Sequence, residues 1–386
     1  MTAKRRQKTA LVLAGGGIMG AAYEIGCLTV LDQLFEDGFN VNRFDLFVGV
    51  SAGSVIASLI ANNVSPASLF AAISNDEQTV FNWRRRDIYR LDTLTMLGSC
   101  WKLFANSVRI FRSYRSNRSN FSLQELPYLL QEQFPAGLFS LGPMQDYLCR
   151  SFRQEGLCDD FRELERPLFI PSYDLDNGKR VVFGSDGYRN VHICQAITAS
   201  SAIPFFFRPH RIGGRYYIDG NIGRVTHIDI AIEQGAKLIV LINPRVPMVN
   251  DPARICLPSL SYGHCTSIAK LGIGVAWEQS QRIESREKLE LAMETYRREH
   301  PDVDIILIEP GPEESLLFFQ SPMSQKARNQ TMAYGYQLTL GQLNNRLPEL
   351  ARIFSRHQIN TRLTRLQDLF NNPNQPAGTE GENHEA

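Results

Sequence analysis

TALVLAGGGIMG, the stretch from residue 9 to residue 20, places a short apolar run directly before a cluster of glycines. The run over residues 9–14 shows no helical period and is bounded by glycine, which predicts a buried strand. Beyond the glycines, apolar side chains recur at spacings of three and four from Ala22 to Phe35, which predicts an amphipathic helix over residues 21–35. The predicted order is therefore strand, glycine turn, helix.

The same order returns in FDLFVGV, residues 44–50, which predicts a second buried strand. A second helix is predicted over residues 52–61, and Ser51 falls in the turn between the two. Two successive strand-turn-helix units indicate a parallel sheet with helices on both faces. We therefore expect an α/β fold, a three-layer sandwich with a mainly parallel central sheet.

This rhythm is lost over residues 76–166, where polar, aromatic and basic residues mix in helix-like segments, and we expect a helical insertion there. Residues 346–370 are expected to form a helical extension, and the tail over residues 371–386, which has no apolar anchor, to be disordered. The other predicted elements are a hairpin over 167–184 around Asp176-Asn177-Gly178, a helix over 191–199, a hairpin over 211–218, a helix over 228–234, a strand over 237–243, a charged surface helix over 284–300, a strand over 303–309 and a core helix over 325–344.

The composition describes a globular protein without a dominant charge. The chain has 386 residues, of which 43% are hydrophobic and 21% charged, so it can bury a full core. Lys and Arg number 41 against 40 Asp and Glu, and this balance disfavours a nucleic-acid partner. We expect neither a secretory signal nor a transmembrane segment, because the apolar stretches are short or interrupted by glycine, asparagine and proline.

The cysteines are odd in number, widely spaced and free of any CxxC pair. This spacing argues against a disulfide framework and against a zinc knuckle. A reducing compartment is the simpler interpretation, so we expect a cytoplasmic protein. The seven are Cys27, Cys100, Cys149, Cys158, Cys194, Cys256 and Cys265.

A candidate nucleophile lies between the second strand and the second helix. Gly49-Val50-Ser51-Ala52-Gly53 fits the pattern G-x-S-x-G, in which small flanking residues allow a tight elbow that exposes the serine hydroxyl above the sheet. Taken alone, the pattern also fits an ordinary glycine turn with an incidental serine. The strand before it and the helix after it favour the nucleophile.

The glycine cluster at residues 15–20 has two interpretations. It fits the dinucleotide pattern G-x-G-x-x-G, but that site also needs an acidic residue at the end of the second strand, where this chain has Ser51. Alternatively, the amides of Gly15, Gly16 and Gly17 form an oxyanion hole for the charge that develops when Ser51 attacks an ester. Adjacent parallel strands would bring both turns to the same sheet edge, so we favour the oxyanion hole.

A nucleophilic serine needs a base, and two kinds of candidate are present. His227 and His264 could complete a serine, aspartate, histidine triad, although an ordinary surface or core histidine is the simpler interpretation. Asp219 follows the apolar run 216–218 and precedes Gly220-Asn221, so a strand would deliver its carboxylate into a tight turn. There it could accept the Ser51 proton directly, whereas an isolated Asp-Gly is more often a plain turn.

These elements together resemble the patatin-like phospholipase family. The resemblance spans about residues 8–345 and is interrupted by residues 76–166, so we expect one patatin-like α/β hydrolase domain over 8–345. The matching segments, in the family's order and approximate spacing, are the glycine-rich residues 15–20, the elbow 49–53, the segment 199–204 (ASSAIP) with Phe205 to Phe207 behind it, and Asp219-Gly220.

The resemblance implies a catalytic dyad, with Ser51 as nucleophile and Asp219 as base, and with Gly49, Gly53 and Gly220 supporting the two turns. It also implies hydrolysis of lipid acyl esters, of the phospholipase A or lysophospholipase type, without a metal or a cofactor. The chain departs from the family pattern at Met19, where Arg or Lys is usual, and at Asn221, where Gly or Ala is common.

One segment, residues 84–118, is strongly basic and carries interleaved apolar residues, Trp101 among them. This composition suits an interfacial helix on anionic lipid, and it equally suits a lid helix with a solvated charged face. A catalytically silent domain that docks on membranes through this segment is therefore one alternative to the lipid hydrolase. A Ser-His-Asp esterase that uses one of the two histidines is the other. The basic residues are Arg84, Arg85, Arg86, Arg90, Lys102, Arg109, Arg112, Arg115 and Arg118.

Overall fold

The computed structural model describes residues 6–36, 38–77, 87, 90–91, 101, 135–224, 226–251, 263–311 and 324–371. These residues form two compact units. The first unit comprises the described residues of 1–77, 165–168 and 225–386, and the second those of 78–164 and 169–224.

The elements follow one another along the chain as a mixture of strands and helices. Those named below are β1 (Thr9–Leu13), α1 (Gly17–Leu34), β2 (Leu46–Gly49), α2 (Ala52–Ala61), α3 (Pro66–Ser74), β3 (Arg90–Leu91), β4 (Gly137–Ser140), α4 (Gly142–Gln154), β5 (Leu168–Asp174), β6 (Lys179–Phe183), α5 (Ile193–Ser200), β7 (Phe205–Phe207), β8 (His210–Ile212), β9 (Arg215–Ile218), α6 (Ile228–Glu233), β10 (Leu238–Ile242), α7 (Ile273–Glu299), β11 (Asp304–Ile308), α8 (Gln325–Asn345), α9 (Leu347–Arg356) and α10 (Leu363–Asn371).

The first unit is built on parallel strands in the order β11-β10-β1-β2. Strands β1, β2 and β10 are buried along their whole length, as expected for parallel strands covered on both faces. Their near-continuous apolar sequences follow from that burial. The predicted α/β class with a mainly parallel sheet is confirmed.

Helix α1 is buried on almost every side, because α2, α3 and α8 pack around it. The closest approach is at Gly26, where a Cβ atom would lie 2.1 Å from the Met332 carbonyl oxygen. The prediction of an amphipathic helix is therefore wrong, since α1 is a core helix and its polar residue Glu24 is fully buried. The spacing of its large apolar residues was compatible with either arrangement.

The second unit contains antiparallel strands. Strand β5 pairs with β6 on one side and with β9 on the other, and β8 completes this set through β9. A separate three-stranded sheet has the order β3-β4-β7. The predicted turns at residues 176–178 and 213–214 lie between β5 and β6 and between β8 and β9.

Some expectations need correction or lie outside the described residues. The charged surface helix predicted over 284–300 begins eleven residues earlier, at Ile273. Helices α3 and α4 were not predicted as separate elements. Most of the predicted insertion over 76–166, the basic segment over 84–118 and the tail beyond residue 371 lie outside the described residues.

The expectation against disulfides is wrong. Cys149 of α4 and Cys194 of α5 form a disulfide, with their Cα atoms 5.2 Å apart. The two cysteines are 45 residues apart in sequence, so only the packing of the two helices brings them together. Cys265 is also disulfide-bonded, whereas Cys27 and Cys158 take no part in a disulfide.

No helix within the described ranges is both long enough and apolar enough to cross a bilayer.

Candidate active site

Ser51 occupies a strained backbone conformation between β2 and α2. Its φ of 52° and ψ of −125° lie in a region that side-chain-bearing residues rarely adopt. Ser51 is 4% exposed, and it is the residue from which α2 starts. This is the geometry expected of a serine elbow, in which the chain turns sharply from a strand into a helix.

Both glycines that flank Ser51 are sterically required. A Cβ atom on Gly49 would lie 2.6 Å from the Ser54 Cα atom, and one on Gly53 would lie 2.6 Å from the Leu13 carbonyl oxygen. Both distances are far below ordinary van der Waals contact, and the crowding atoms belong mainly to the backbone. The predicted supporting role of Gly49 and Gly53 in the turn thus has a steric basis.

Hydrogen bonds close the elbow around Ser51. The Ser54 amide donates to the Ser51 carbonyl oxygen at 2.9 Å, and the Ser54 hydroxyl donates to the same oxygen. On the strand side, the Val50 amide donates to the Leu13 carbonyl oxygen at 3.0 Å. The strained residue is therefore held from both directions.

The glycine loop lies at the same sheet edge as the elbow, as predicted. Strands β1 and β2 pair in parallel with Leu13 opposite Gly49, so the loop after Leu13 and the turn after Gly49 start side by side. A Cβ atom on Gly16 would lie 2.7 Å from the Pro244 Cγ atom, and Gly17 has a φ of 65°. Residue 16 must therefore be glycine because there is no space for a side chain, and residue 17 favours glycine because its backbone is left-handed.

The loop ends in the N-terminus of α1, which begins at Gly17. Amide groups in the first turn of a helix have no acceptor within that helix, and they carry a partial positive charge. An oxyanion formed near Ser51 would be stabilised by such donors. Gly15 is buried, Gly16 is half-buried and Gly17 is exposed, so the loop runs from the core to the surface.

Met19 is 3% exposed and belongs to the core of the first unit. At this position the family that the chain resembles usually has Arg or Lys. A buried position favours an apolar side chain over an unpaired charge, so the methionine suits its surroundings in this chain.

Asp219 lies in the second unit, directly after β9. Its amide donates to the Ala202 carbonyl oxygen at 3.0 Å, and its side chain is buried at 3% exposure. Its Oδ1 atom accepts hydrogen bonds from the Asn221 amide at 2.8 Å and from the Asn221 side-chain nitrogen at 3.0 Å. As predicted, a strand carries this carboxylate into a tight turn, which here is a short 3₁₀ helix over Gly220–Ile222.

The segment 199–204 holds the Asp219 turn through its backbone. Ala202, just beyond α5, supplies the carbonyl oxygen to which the Asp219 amide donates. Ser172 of β5 donates its hydroxyl to the Ile218 carbonyl oxygen at 2.7 Å, which fixes the residue before Asp219. Sequence reasoning recognised this segment only through the family resemblance, and it gave no reason to single out Ser172.

The predicted site residues divide between the two units. Ser51 and the glycine loop lie together in the first unit, and Asp219 with Gly220 lies in the second. The catalytic pairing of Ser51 with Asp219 stays a prediction. Of the alternative bases, His227 is fully buried with a φ of 51° just before α6, and His264 is exposed.

One group of potential metal ligands occurs among the described residues. Atoms of Cys149, Asp159 and Cys194 lie within 4.8 Å of one another. The two sulfur atoms are joined in the disulfide, so they are not available as thiolate ligands. This cluster belongs to the second unit and contains none of the predicted site residues.

Two surface depressions in the first unit lie away from the elbow. Both are lined by Glu36, Phe39 and Arg43, and one also by Arg6. Arg6 precedes β1 and Arg43 precedes β2, whereas the elbow and the glycine loop follow these strands. The depressions thus lie at the opposite ends of the strands, and their polar lining does not suit an acyl chain.

Only isolated residues of the basic segment 84–118 are described. Arg90 and Leu91 form β3, which pairs with β4, and the Trp101 side chain is 71% exposed. The predicted interfacial or lid helix lies largely outside the described residues. Membrane contact through this segment therefore stays a prediction.

Much of the chain matches a model of a known protein family. A family model described as patatin-like phospholipase matches residues 11–232. The chain is 23% identical over 227 residues to a probable lipid hydrolase 463L of Invertebrate iridescent virus 6, which covers 59% of this chain and 64% of that protein. It is 24% identical over 222 residues to the uncharacterized protein YqhO of Bacillus subtilis, which covers 55% and 62% respectively.

The chain thus matches less than two thirds of the length of these two curated relatives. Among solved structures, it is similar to VipD from Legionella pneumophila with a TM-score of 0.38. That similarity comes with 15% identity and covers 88% of this chain and 67% of the other.

Proposed function

The chain belongs to the patatin-like phospholipase family, and on this premise we propose that it is a lipid acyl hydrolase that works through an acyl-enzyme on Ser51. The observation that supports this most directly is the backbone of Ser51, whose φ of 52° persists although a side chain makes it unfavourable. The glycine loop at the same sheet edge adds amide donors for an oxyanion. Nucleophile and charge stabilisation would then come from one unit.

In the proposed acylation, the Ser51 Oγ atom forms a bond to the ester carbonyl carbon while its proton passes to the Asp219 carboxylate. The negative charge on the former carbonyl oxygen is stabilised by the amides of the loop, Gly15, Gly16 and Gly17. Collapse of this intermediate breaks the ester bond, and the leaving alcohol takes the proton from Asp219. Losing one oxyanion donor typically costs about 100- to 1000-fold in rate.

In the proposed deacylation, Asp219 takes a proton from water as the water oxygen attacks the acyl-enzyme carbonyl carbon. The proton then returns to the Ser51 oxygen when the fatty acid leaves. Neither half-reaction calls for a metal or a redox cofactor. The enzyme would thus be a serine carboxylic ester hydrolase with a dyad in place of a triad.

The proposed substrates are acyl esters of lipids, as in phospholipase A or lysophospholipase reactions. Such substrates lie in membranes, and the basic segment 84–118 is our proposed contact with an anionic lipid surface, with Trp101 among its apolar residues. We propose no nucleic-acid partner.

Labelling with a fluorophosphonate probe tests the nucleophile. Peptide mapping by mass spectrometry should find the adduct on Ser51 in the wild-type chain and none in Ser51→Ala. If the wild-type protein stays unlabelled under conditions that label a control esterase, the proposal that it is an enzyme is contradicted. That result would favour the catalytically silent membrane-docking domain. A panel of lipid esters then identifies the substrate by turnover.

Replacement of the candidate bases tests the dyad. We expect Asp219→Asn to abolish turnover, whereas His227→Ala and His264→Ala retain it. Asp174→Asn is a matched control, because Asp174 is also a buried aspartate of the second unit with an asparagine partner. Turnover that survives Asp219→Asn but is lost with either histidine change would establish the Ser-His-Asp esterase instead.

A further inference from the structure

Asn221 is one of the two positions at which this chain departs from the family pattern, and its side chain contacts the proposed base. The Asn221 Nδ2 atom lies 3.0 Å from the Asp219 Oδ1 atom, and the Asn221 amide nitrogen lies 2.8 Å from the same oxygen. A glycine or alanine at position 221 could supply the amide but not the side-chain donor. The second hydrogen bond is therefore particular to this asparagine.

Other groups already hold the backbone of Asp219. Its amide is bonded to the Ala202 carbonyl oxygen, and the preceding carbonyl group, that of Ile218, accepts the Ser172 hydroxyl. These contacts fix where the Cα atom lies but leave rotation about the side-chain torsions. Two donors on one carboxylate oxygen restrict that rotation and so set the direction of the other oxygen.

We propose that Asn221 is a positioning residue for Asp219, and this inference rests on the proposed function. Its side-chain amide fixes Oδ1 and thereby assigns the transfer of the Ser51 proton to Oδ2. An N–H donor favours the ionised form of a carboxylate. The amide therefore also helps the Asp219 carboxylate to stay ionised, and able to accept a proton, at lower pH. Asn221 would thus act on both the geometry and the protonation of the dyad.

Two variants separate a donor role from a role in packing. Asn221→Ala removes the side-chain donor, and we expect kcat to fall about 10-fold or more with KM little changed, as for the loss of a hydrogen bond to a charged group. The acid limb of the kcat–pH profile should move to higher pH. Asn221→Asp keeps the shape of the side chain but places a second carboxylate beside that of Asp219. Because a neighbouring negative charge disfavours ionisation of Asp219, the acid limb should move to still higher pH than in Asn221→Ala.

Asn177 supplies a matched control in the same unit. Its amide nitrogen and its Nδ2 atom lie 3.1 Å and 2.7 Å from the two oxygens of Asp174. Asn177→Ala and Asn177→Asp should leave kcat and the acid limb as in the wild type. Thermal unfolding of all four variants checks that each is folded at the assay temperature.

The outcomes distinguish a failure of this inference from a failure of the proposed function on which it rests. If Asn221→Ala and Asn221→Asp show the wild-type kcat and pH profile while Asp219→Asn is inactive, the dyad stands and the positioning role is wrong. If Asn221→Asp matches the wild type and only Asn221→Ala is slow, the residue acts through its size. Full turnover in Asp219→Asn would overturn the proposed Ser51–Asp219 dyad, and with it this inference, whereas an unlabelled Ser51 would overturn the proposed hydrolase itself.

Discussion

A Cβ atom on Gly53 would lie 2.6 Å from the Leu13 carbonyl oxygen, so the first turn of α2 runs against the end of β1 with no space for a side chain. This contact joins the serine elbow to the strand that leads into the glycine loop. The Val50 amide donates to the same carbonyl oxygen. Leu13 therefore fixes the relative position of the two elements from which the site in the first unit is built.

Gly53→Ala should disturb both the fold and the nucleophile. The new methyl group meets backbone oxygen atoms, which cannot move aside as a flexible side chain would, and overpacking of this kind costs about 1–3 kcal/mol. We expect a lower free energy of unfolding in urea and loss of fluorophosphonate labelling at Ser51 in the protein that stays folded.

Gly274→Ala is the matched control for this change. Gly274 lies in α7, and its Cβ atom would meet nothing within 4 Å. Alanine is the better helix former by about 1 kcal/mol, so this variant should be as stable as the wild type or more stable. Equal stability and labelling in both variants would show that the approach of Gly53 to Leu13 is not tight in solution.

Local sequence was sufficient to predict the elements around the proposed nucleophile. The strand before Ser51, the helix after it and the glycine loop all depend on residues within a few positions of one another, and parallel pairing of neighbouring strands then brings the turns together. The steric need for Gly16 was not predictable. Its crowding partner is Pro244, which follows β10 and is far from Gly16 in the sequence.

The features that sequence reasoning missed depend on contacts between distant residues or on side-chain direction. The Cys149–Cys194 disulfide can form because α4 packs on α5, and no cysteine motif in the sequence predicts it. Asn221 was noted as a departure from the family, but only the structure shows that its side chain turns back to Asp219. The burial of α1 likewise follows from α8, which lies about 300 residues later in the chain.

The disulfide should be detectable and should stabilise the second unit. Peptide mapping without reduction is expected to recover a cross-linked pair that contains Cys149 and Cys194. Cys149→Ser should lower the free energy of unfolding by about 2–4 kcal/mol under oxidising conditions, the usual effect of removing such a link. In the presence of a thiol reductant the difference from the wild type should disappear.

Cys158→Ser serves as the control, because Cys158 is a cysteine of the same unit that takes no part in a disulfide. It should leave stability unchanged in either redox condition. Because α5 leads to Ala202, which holds the Asp219 amide, turnover of Cys149→Ser is worth measuring beside its stability. Alkylation of both Cys149 and Cys194 in unreduced protein would contradict the disulfide.

His210 should make the stability of the protein depend on pH in mildly acidic solution. Burial lowers the pKa of His210 from its ordinary 6.5 to about 4. Between these two values the unfolded chain binds a proton that the folded chain does not, so this contribution to stability is present above pH 6.5 and is lost as the pH falls towards 4. The slope is at most about 1.4 kcal/mol per pH unit.

His210→Gln cannot titrate, and it should therefore lose less stability than the wild type as the pH falls from 6.5 to 4. Urea unfolding at several pH values measures this. His264→Gln, at an exposed histidine, should behave as the wild type does. Parallel curves for His210→Gln and the wild type would show that His210 titrates normally in the folded protein.

Glu24 should have the opposite effect at higher pH. It is fully buried in α1, and within the described part of the chain neither of its carboxyl oxygens has a hydrogen-bond partner. Burial raises the pKa of the Glu24 carboxyl well above its ordinary value. The folded chain then keeps a proton that the unfolded chain releases, so stability falls as the pH rises from the ordinary pKa of Glu towards the raised one.

Glu24→Gln has the same shape and no charge, so it removes this penalty. The free energy of unfolding of Glu24→Gln should exceed that of the wild type by an amount that grows with pH, at most about 1.4 kcal/mol for each unit above the ordinary pKa. Glu287→Gln, at an exposed position of α7, is the control and should show no such growth. Urea unfolding from pH 5 to pH 8, in roughly unit steps, measures the difference, and a constant offset between Glu24→Gln and the wild type would mean that the Glu24 carboxyl is paired or hydrated in the folded protein.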